Sequence, residues 1–215
     1  MFLRMPRPTK HAPERGSARL RLLDAATDII RDRGFAATTV DDLCKAADVT
    51  KGAFFHHFAS KDALGVAAAE HWATMTTAFF NAAPYHDPAD PLERVLAYVA
   101  FRKAMITGNM AEFTCLVGTM AQEVYESSPD IREACGRSIF GHAATLEADI
   151  EAARQGRAIT GNWTADSLSR HIQAVIQGGF VLAKAANDPE CAREGMEHLD
   201  RYIRQLFHVR EEVAA

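Results

Sequence analysis

No apolar run in this chain of 215 residues reaches the roughly 18 residues that a bilayer span requires. Residues 1–21 are broken by prolines and basic side chains and have no apolar centre like that of a signal peptide, so a cytoplasmic protein with no membrane partner is expected. Cysteine is scarce. Cys44, Cys115, Cys135 and Cys191 stand far apart with no Cys-x-x-Cys pair, which argues against both a zinc site and a disulfide framework. Nine histidines include no His-Glu-x-x-His spacing, so no metal and no cofactor is expected. The chain also lacks a nucleophile elbow and a phosphate-cradling glycine loop, and no catalytic residue can be assigned. No stretch alternates at period two, which excludes a sheet from the expected fold.

What is present is material for a helical core. Hydrophobic residues make up 48% and charged residues 24%, a balance that suits one or two globular domains. The net charge of −4 is unevenly shared. Residues 1–60 hold ten Lys/Arg against seven Asp/Glu, and the remainder holds fourteen against twenty-one. Arg4, Arg7, Lys10, Arg15, Arg19 and Arg21 face only Glu14 within the first 21 residues, giving a basic arm suited to a minor groove or flanking phosphates, with a solvated disordered tail as the alternative.

The most informative stretch is TTVDDLCKAADVTKGAFFHHFASK, Thr38 to Lys61. Val40, Leu43, Cys44 and Ala47 recur at i, i+3, i+4 and i+7, one apolar stripe of a short helix capped by Thr39. A tight turn leads to a second short helix that opens at Thr50, with Phe54 and Phe58 four apart as anchors. Such a helix-turn-helix offers its second helix to the major groove of DNA. A hydroxyl, a lysine and free N–H groups at a helix N-terminus suit phosphate oxygens, and Gly52 permits close backbone approach.

These residues carry a family resemblance. Arg31 to Phe35, then Thr38 to Leu64, resemble the DNA-binding domain of the TetR family of one-component transcriptional regulators. The family's recognition string, Ser/Thr-Lys-Gly-x-(aromatic or Leu)-Tyr-x-His-Phe-x-x-Lys, is matched by Thr50, Lys51, Gly52, Ala53, Phe54, Phe55, His56, His57, Phe58, Ala59, Ser60 and Lys61. Phe55 departs from it by lacking the tyrosine hydroxyl that reaches a phosphate, and so can pack only on sugar or a thymine methyl. The resemblance implies a homodimeric repressor on a near-palindromic double-stranded operator. Thr39, Thr50, Lys51, His57 and Lys61 are then expected on phosphates, Gly52, Ala53 and His56 nearest the bases, and Phe55 against the groove.

The rest of the chain reads as helices, about nine in all. An arm over 1–16 is followed by the DNA-binding domain over 17–60, whose first helix runs from Ser17 to Arg33 and stops at Gly34. A ligand-binding and dimerisation domain is expected over 61–215. Ser60 caps a long helix to about Ala83, and the proline-rich Ala82 to Pro91 is a loop. Helices are then expected over Pro91–Thr107, Phe113–Ser127, Asp130–Gln155, Thr164–Asn187 and Pro189–Phe207.

Phe79, Phe101, Met105, Phe113, Cys115, Met120, Phe140 and Trp163 are the wide or polarisable side chains available to line a pocket for a small apolar, aromatic or electrophilic effector. Plain core packing is the competing role. In the last two helices Ile172, Val175, Ile176, Gly179, Phe180, Leu199, Tyr202, Ile203 and Leu206 supply more apolar surface than one small layer needs, and a symmetric four-helix interface is expected from them, with a simple intrachain core as the alternative. Phe113 to Glu123 also resembles a cysteine-bearing helix start found in a subset of these regulators, which leaves a thiol-based electrophile or redox sensor through Cys115 as an alternative. A helical small-molecule enzyme and a helical protein-interaction module are the remaining rivals.

Overall fold

The computed structural model describes residues 17–209; the basic arm expected over 1–16 lies outside them. Among the described residues the fold is all helical. The helices are α1 (Ala18–Arg33), α2 (Val40–Ala47), α3 (Lys51–His57), α4 (Lys61–Asn81), α5 (Pro91–Ala104), the single turn α6 (Met110–Phe113), α7 (Leu116–Val124), α8 (Pro129–Ala144), α9 (Glu147–Gly156), α10 (Ala165–Ala186) and α11 (Glu190–Leu206). A 3-10 turn over Pro84–His86 precedes α5.

Local chemistry sets most of the helix ends. Ser17 and Thr50 each accept a backbone N–H with the hydroxyl oxygen, and Thr39 forms a reciprocal capping box with Asp42. Asp90 caps α5 through the Leu92 and Glu93 amides, with Pro91 pre-set at the first helical position. Gly34 ends α1 at φ +89, a region that L side chains rarely adopt. The single helix expected from Asp130 to Gln155 is interrupted at Thr145 and Leu146. There the bonds tighten to Thr145 N–H to His142 O at 3.2 Å and Leu146 N–H to Ala143 O at 3.1 Å, and Leu146 is buried.

One compact unit comprises residues 17–80 and 111–139. Its core draws Leu22, Leu23 and Ile30 from α1, Leu43 from α2, Phe54 from α3, Leu64 from α4, Leu116 and Met120 from α7, and Ile131 from α8. Burying each such side chain contributes about 1.5–3 kcal/mol, which offsets the ordering of the short helices α2 and α3 that could not persist alone. Gly65 lets α4 approach closely, because a Cβ there would lie 2.8 Å from Ile131 Cδ1 and 2.9 Å from Phe35 Cε2.

The other unit comprises residues 81–110 and 140–209. Here α10 and α11 pack together, and Gly179 makes the approach possible: a Cβ would stand 3.3 Å from Ala192 Cα. At its centre Tyr98 has no exposed surface, and its hydroxyl meets Gln173 Nε2 at 2.8 Å, His142 Nε2 at 2.9 Å and Arg102 Nη1 at 3.2 Å. Burial, helped by the Arg102 charge, pushes the His142 imidazole down to about 3. Burial likewise pushes the nearby Tyr85 phenol up to about 12.

Candidate nucleic-acid interface

Helix α3 is too short to hold itself together and is fixed by two inward rings. Phe54 is fully buried and Phe58 nearly so, with centroids 5.8 Å apart. Arg19 lies over the Phe58 ring, and Arg21 of α1 donates to the Ala47 carbonyl at 3.0 Å, tying the end of α2 to the scaffold helix. Between α2 and α3 the turn is made by Asp48 at φ 52, with the Val49 amide donating to Cys44 O at 3.0 Å.

With Phe54 and Phe58 committed inward, the opposite face of α3 is exposed. Thr50, Lys51, Gly52, Phe55 and His56 are solvent-facing, and Ala53 and His57 are partly so. Phe55 keeps 55% of its surface. An added Cβ at Gly52 would meet only Thr50 Oγ1, at 3.7 Å, so packing within the unit does not demand glycine there. The Thr50 oxygen accepts the Ala53 amide at 3.1 Å, which leaves its hydroxyl proton for an outside acceptor.

Three of the residues expected on phosphates have partners within the chain. Lys61 turns its ammonium inward onto the carbonyls of Phe35 and Thr38, each at 3.0 Å, and lies 4.4 Å from the Phe35 ring centroid. Its charge holds the α1–α2 loop. Thr39 spends its hydroxyl on Asp42 Oδ2 at 2.7 Å; that bond, with the Thr39 amide and Arg33, holds the Asp42 carboxyl below its ordinary value. Lys51 is exposed but paired, 2.8 Å from Asp41 Oδ1, and this hydrogen bond raises its pKa. None of the three partners was visible from spacing on α3.

The residues expected around an effector belong to both units. Met120 is fully buried in the core that supports α3, and Phe113 is buried in the same unit; Cys115 is partly buried at the start of α7. Phe79 is partly buried on α4. Phe101 and Met105 are buried in the other unit, where Phe101 lies 5.6 Å from Tyr85. Trp163 packs edge-on to Phe207 at 5.6 Å, and Phe140 is 60% exposed. Size is what marks these residues along the chain. Size does not mark the buried polar group of Tyr98, Arg102, His142 and Gln173, whose only sequence signal is the four-residue spacing of Tyr98 and Arg102.

The residues expected at a subunit contact divide between buried and exposed positions. Ile172, Ile176, Gly179, Phe180, Leu199 and Ile203 are buried within the single chain, because α10 and α11 close on each other along that stripe. Val175 and Leu206 are partly buried, and Tyr202 is exposed. The apolar surface left outward on α10 is a different stripe, Ala174, Gly178, Val181 and Leu182, with Leu182 60% exposed. Both stripes have helical period, so periodicity alone could not choose between them.

Known proteins share this helical architecture. Residues 22–68 match the family model described as bacterial regulatory proteins, tetR family, and residues 91–199 match the tetracyclin repressor-like C-terminal domain. The HTH-type transcriptional repressor NemR of Escherichia coli strain K12 is 26% identical over 191 residues, covering 85% of this chain and 92% of NemR. The crystal structure of E. coli NemR in its reduced form superposes with a TM-score of 0.69 at 26% identity, covering 86% of this chain and 96% of that one. A TetR-family regulator from Agrobacterium tumefaciens shares the fold, with a TM-score of 0.75 at 19% identity over 88% of this chain and 98% of that one. With one model matching the helix-turn-helix and the other more than half of the chain, the protein belongs to the TetR family of bacterial transcriptional regulators.

Proposed function

We propose that this regulator is a homodimeric repressor that acts in the cytoplasm, seats α3 of each copy in the major groove of a near-palindromic operator, and is released by a small effector. The observation that carries the reading is the outward face of α3. It brings a hydroxyl proton, an ammonium, a glycine with no internal packing role and an exposed ring to one end of a rigidly anchored helix. In this reading Thr50, Lys51 and His57 hold phosphates, Gly52, Ala53 and His56 approach base edges, and Phe55 lies against sugar or a thymine methyl. Lys61 and Thr39 act one step back, by fixing the loop and the α2 cap.

The test is selection of duplexes from random-sequence DNA with the full chain, followed by anisotropy titration over a salt series. A palindromic consensus with strong salt dependence is expected. A chain that enriches no sequence would overturn the assignment. The repressor direction is supported by relatives such as the HTH-type transcriptional repressor NemR, and the reading places the effector in the domain expected over 61–215, which carries the aromatic and sulfur side chains named above.

A specific observation favours thiol sensing as a second reading. Cys115 caps α7, its Sγ accepting the Gly118 amide at 3.4 Å, and it is only partly buried, whereas Cys135 is fully buried with its thiol pushed up to about 12. Operator release by N-ethylmaleimide from the wild type but not from Cys115→Ser is the expected signature. Equal release from both would discard it.

A further inference from the structure

Recognition of DNA by this chain depends, we infer, on a residue remote from the reading head: Glu123, near the end of α7, sets the position of the helix-turn-helix against α1. The inference rests on the DNA-binding reading above.

The α1–α2 loop presents two successive backbone N–H groups, those of Phe35 and Ala36, in one direction. Both donate to a single oxygen of Glu123, at 2.6 and 3.0 Å. Successive amides turned the same way form an anion-binding concavity, and a carboxylate is its natural occupant. The loop's carbonyls are gathered by the opposite charge, since Lys61 Nζ reaches the oxygens of Phe35 and Thr38. An acid from α7 and a base from α4 thus hold the donors and the acceptors of the same short loop.

Gly34 belongs to the same arrangement. A Cβ built on it would lie 2.0 Å from Glu123 Oε1, so the carboxylate occupies the space that any other residue's side chain would fill. Immediately beyond the loop, Thr39 caps α2, and α2 leads through the Asp48 turn into α3. A shift of the loop is therefore carried into the whole reading head, while Phe54 and Phe58 keep α3 folded. Base contacts demand placement within about 0.5 Å, a tolerance that non-specific phosphate contacts do not share.

Glu123 lies outside residues 22–68 that match the family's DNA-binding model, and inside the C-terminal match over 91–199. It touches no proposed DNA contact. Its role is that of a positioning residue.

The experiment uses the full chain, the duplex it selects and a scrambled duplex of the same length, with wild type, Glu123→Ala and Glu123→Gln. Glu123→Ala is expected to bind the selected duplex about tenfold more weakly while its affinity for the scrambled duplex and its salt slope stay the same, because no phosphate contact is lost. Glu123→Gln keeps an acceptor oxygen and should recover part of the loss. Amide exchange of Phe35 and Ala36 should accelerate in Glu123→Ala without change in the α3 amides. Unchanged discrimination between the two duplexes in Glu123→Ala would overturn the inference, as would an equal loss on both. A wild type that selects no duplex would instead sink the DNA-binding reading itself.

Discussion

The Lys51 ammonium lies 2.8 Å from the Asp41 carboxylate, bridging the first turns of α3 and α2 on the exposed face of the helix-turn-helix. The lysine best placed for a phosphate is already held by a neighbouring acid, and DNA must compete for it. Replacing Asp41 by Asn should free the lysine and remove a like charge from the approaching phosphates. Non-specific and operator affinity are expected to rise about three- to tenfold at low salt, converging with wild type as salt is raised. Lys51→Ala should lower the salt slope by about one ion, and anisotropy titrations over a salt series measure both.

The two stripes of α10 separate in a pair of substitutions. Leu182→Glu places a charge on the exposed stripe and should leave the fold intact while shifting sedimentation from dimer to monomer. Ile176→Asp puts a charge where the chain is fully buried and should unfold it, costing several kcal/mol, about 3–5. A Leu182→Glu chain that stays dimeric at micromolar concentration would remove the outer stripe from the interface.

Gly65 and Gly178 sit in helix interiors with opposite surroundings. Alanine at either gains about 1 kcal/mol of helix propensity. At Gly65 the new Cβ meets Ile131 and Phe35 inside 3 Å, an overpacking that costs about 1–3 kcal/mol, and the net change should be destabilising. At Gly178 nothing of the same chain lies within 4 Å, so alanine should stabilise the single subunit, as read in the monomeric Leu182→Glu background. Urea denaturation of the two variants gives the signs directly.

His142 sets an acid limit on stability. Its folded-state pKa is depressed to about 3 from 6.5, chiefly by burial. The unfolded chain therefore binds the extra proton first, and the stability held by the neutral imidazole is complete above pH 6.5 and lost as pH falls toward 3. The slope is at most about 1.4 kcal/mol per pH unit. Comparing denaturation midpoints of wild type and His142→Gln from pH 7.5 to 4.5 should show a shallower decline in the variant.

Much of the site could be read along the chain because its signals are local. The stripe of Val40, Leu43, Cys44 and Ala47, the caps at Thr39 and Thr50 and the anchors Phe54 and Phe58 all act within one or two helical turns, and the helices formed where those spacings put them. Gly34 as the stop of α1 is a signal of the same kind. The break at Thr145 was not legible, since it replaces one set of short-range bonds by another with no proline or glycine at Thr145 or Leu146 to announce it.

What the order of residues determined by itself was the helical class, the family and which side of α3 faces out, because periodicity and capping are properties of neighbours in the chain. What only the tertiary structure decided was partnership over distance. Lys61 facing carbonyls, Asp41 holding Lys51, Glu123 reaching the Phe35 amide, and α10 turning one of two equivalent apolar stripes inward all depend on which surfaces meet after collapse. Apolar burial drives that meeting and carries no residue-by-residue address, so the pairings were fixed by close packing at places such as Gly34, Gly65 and Gly179, where a single absent Cβ admits one neighbour and excludes others.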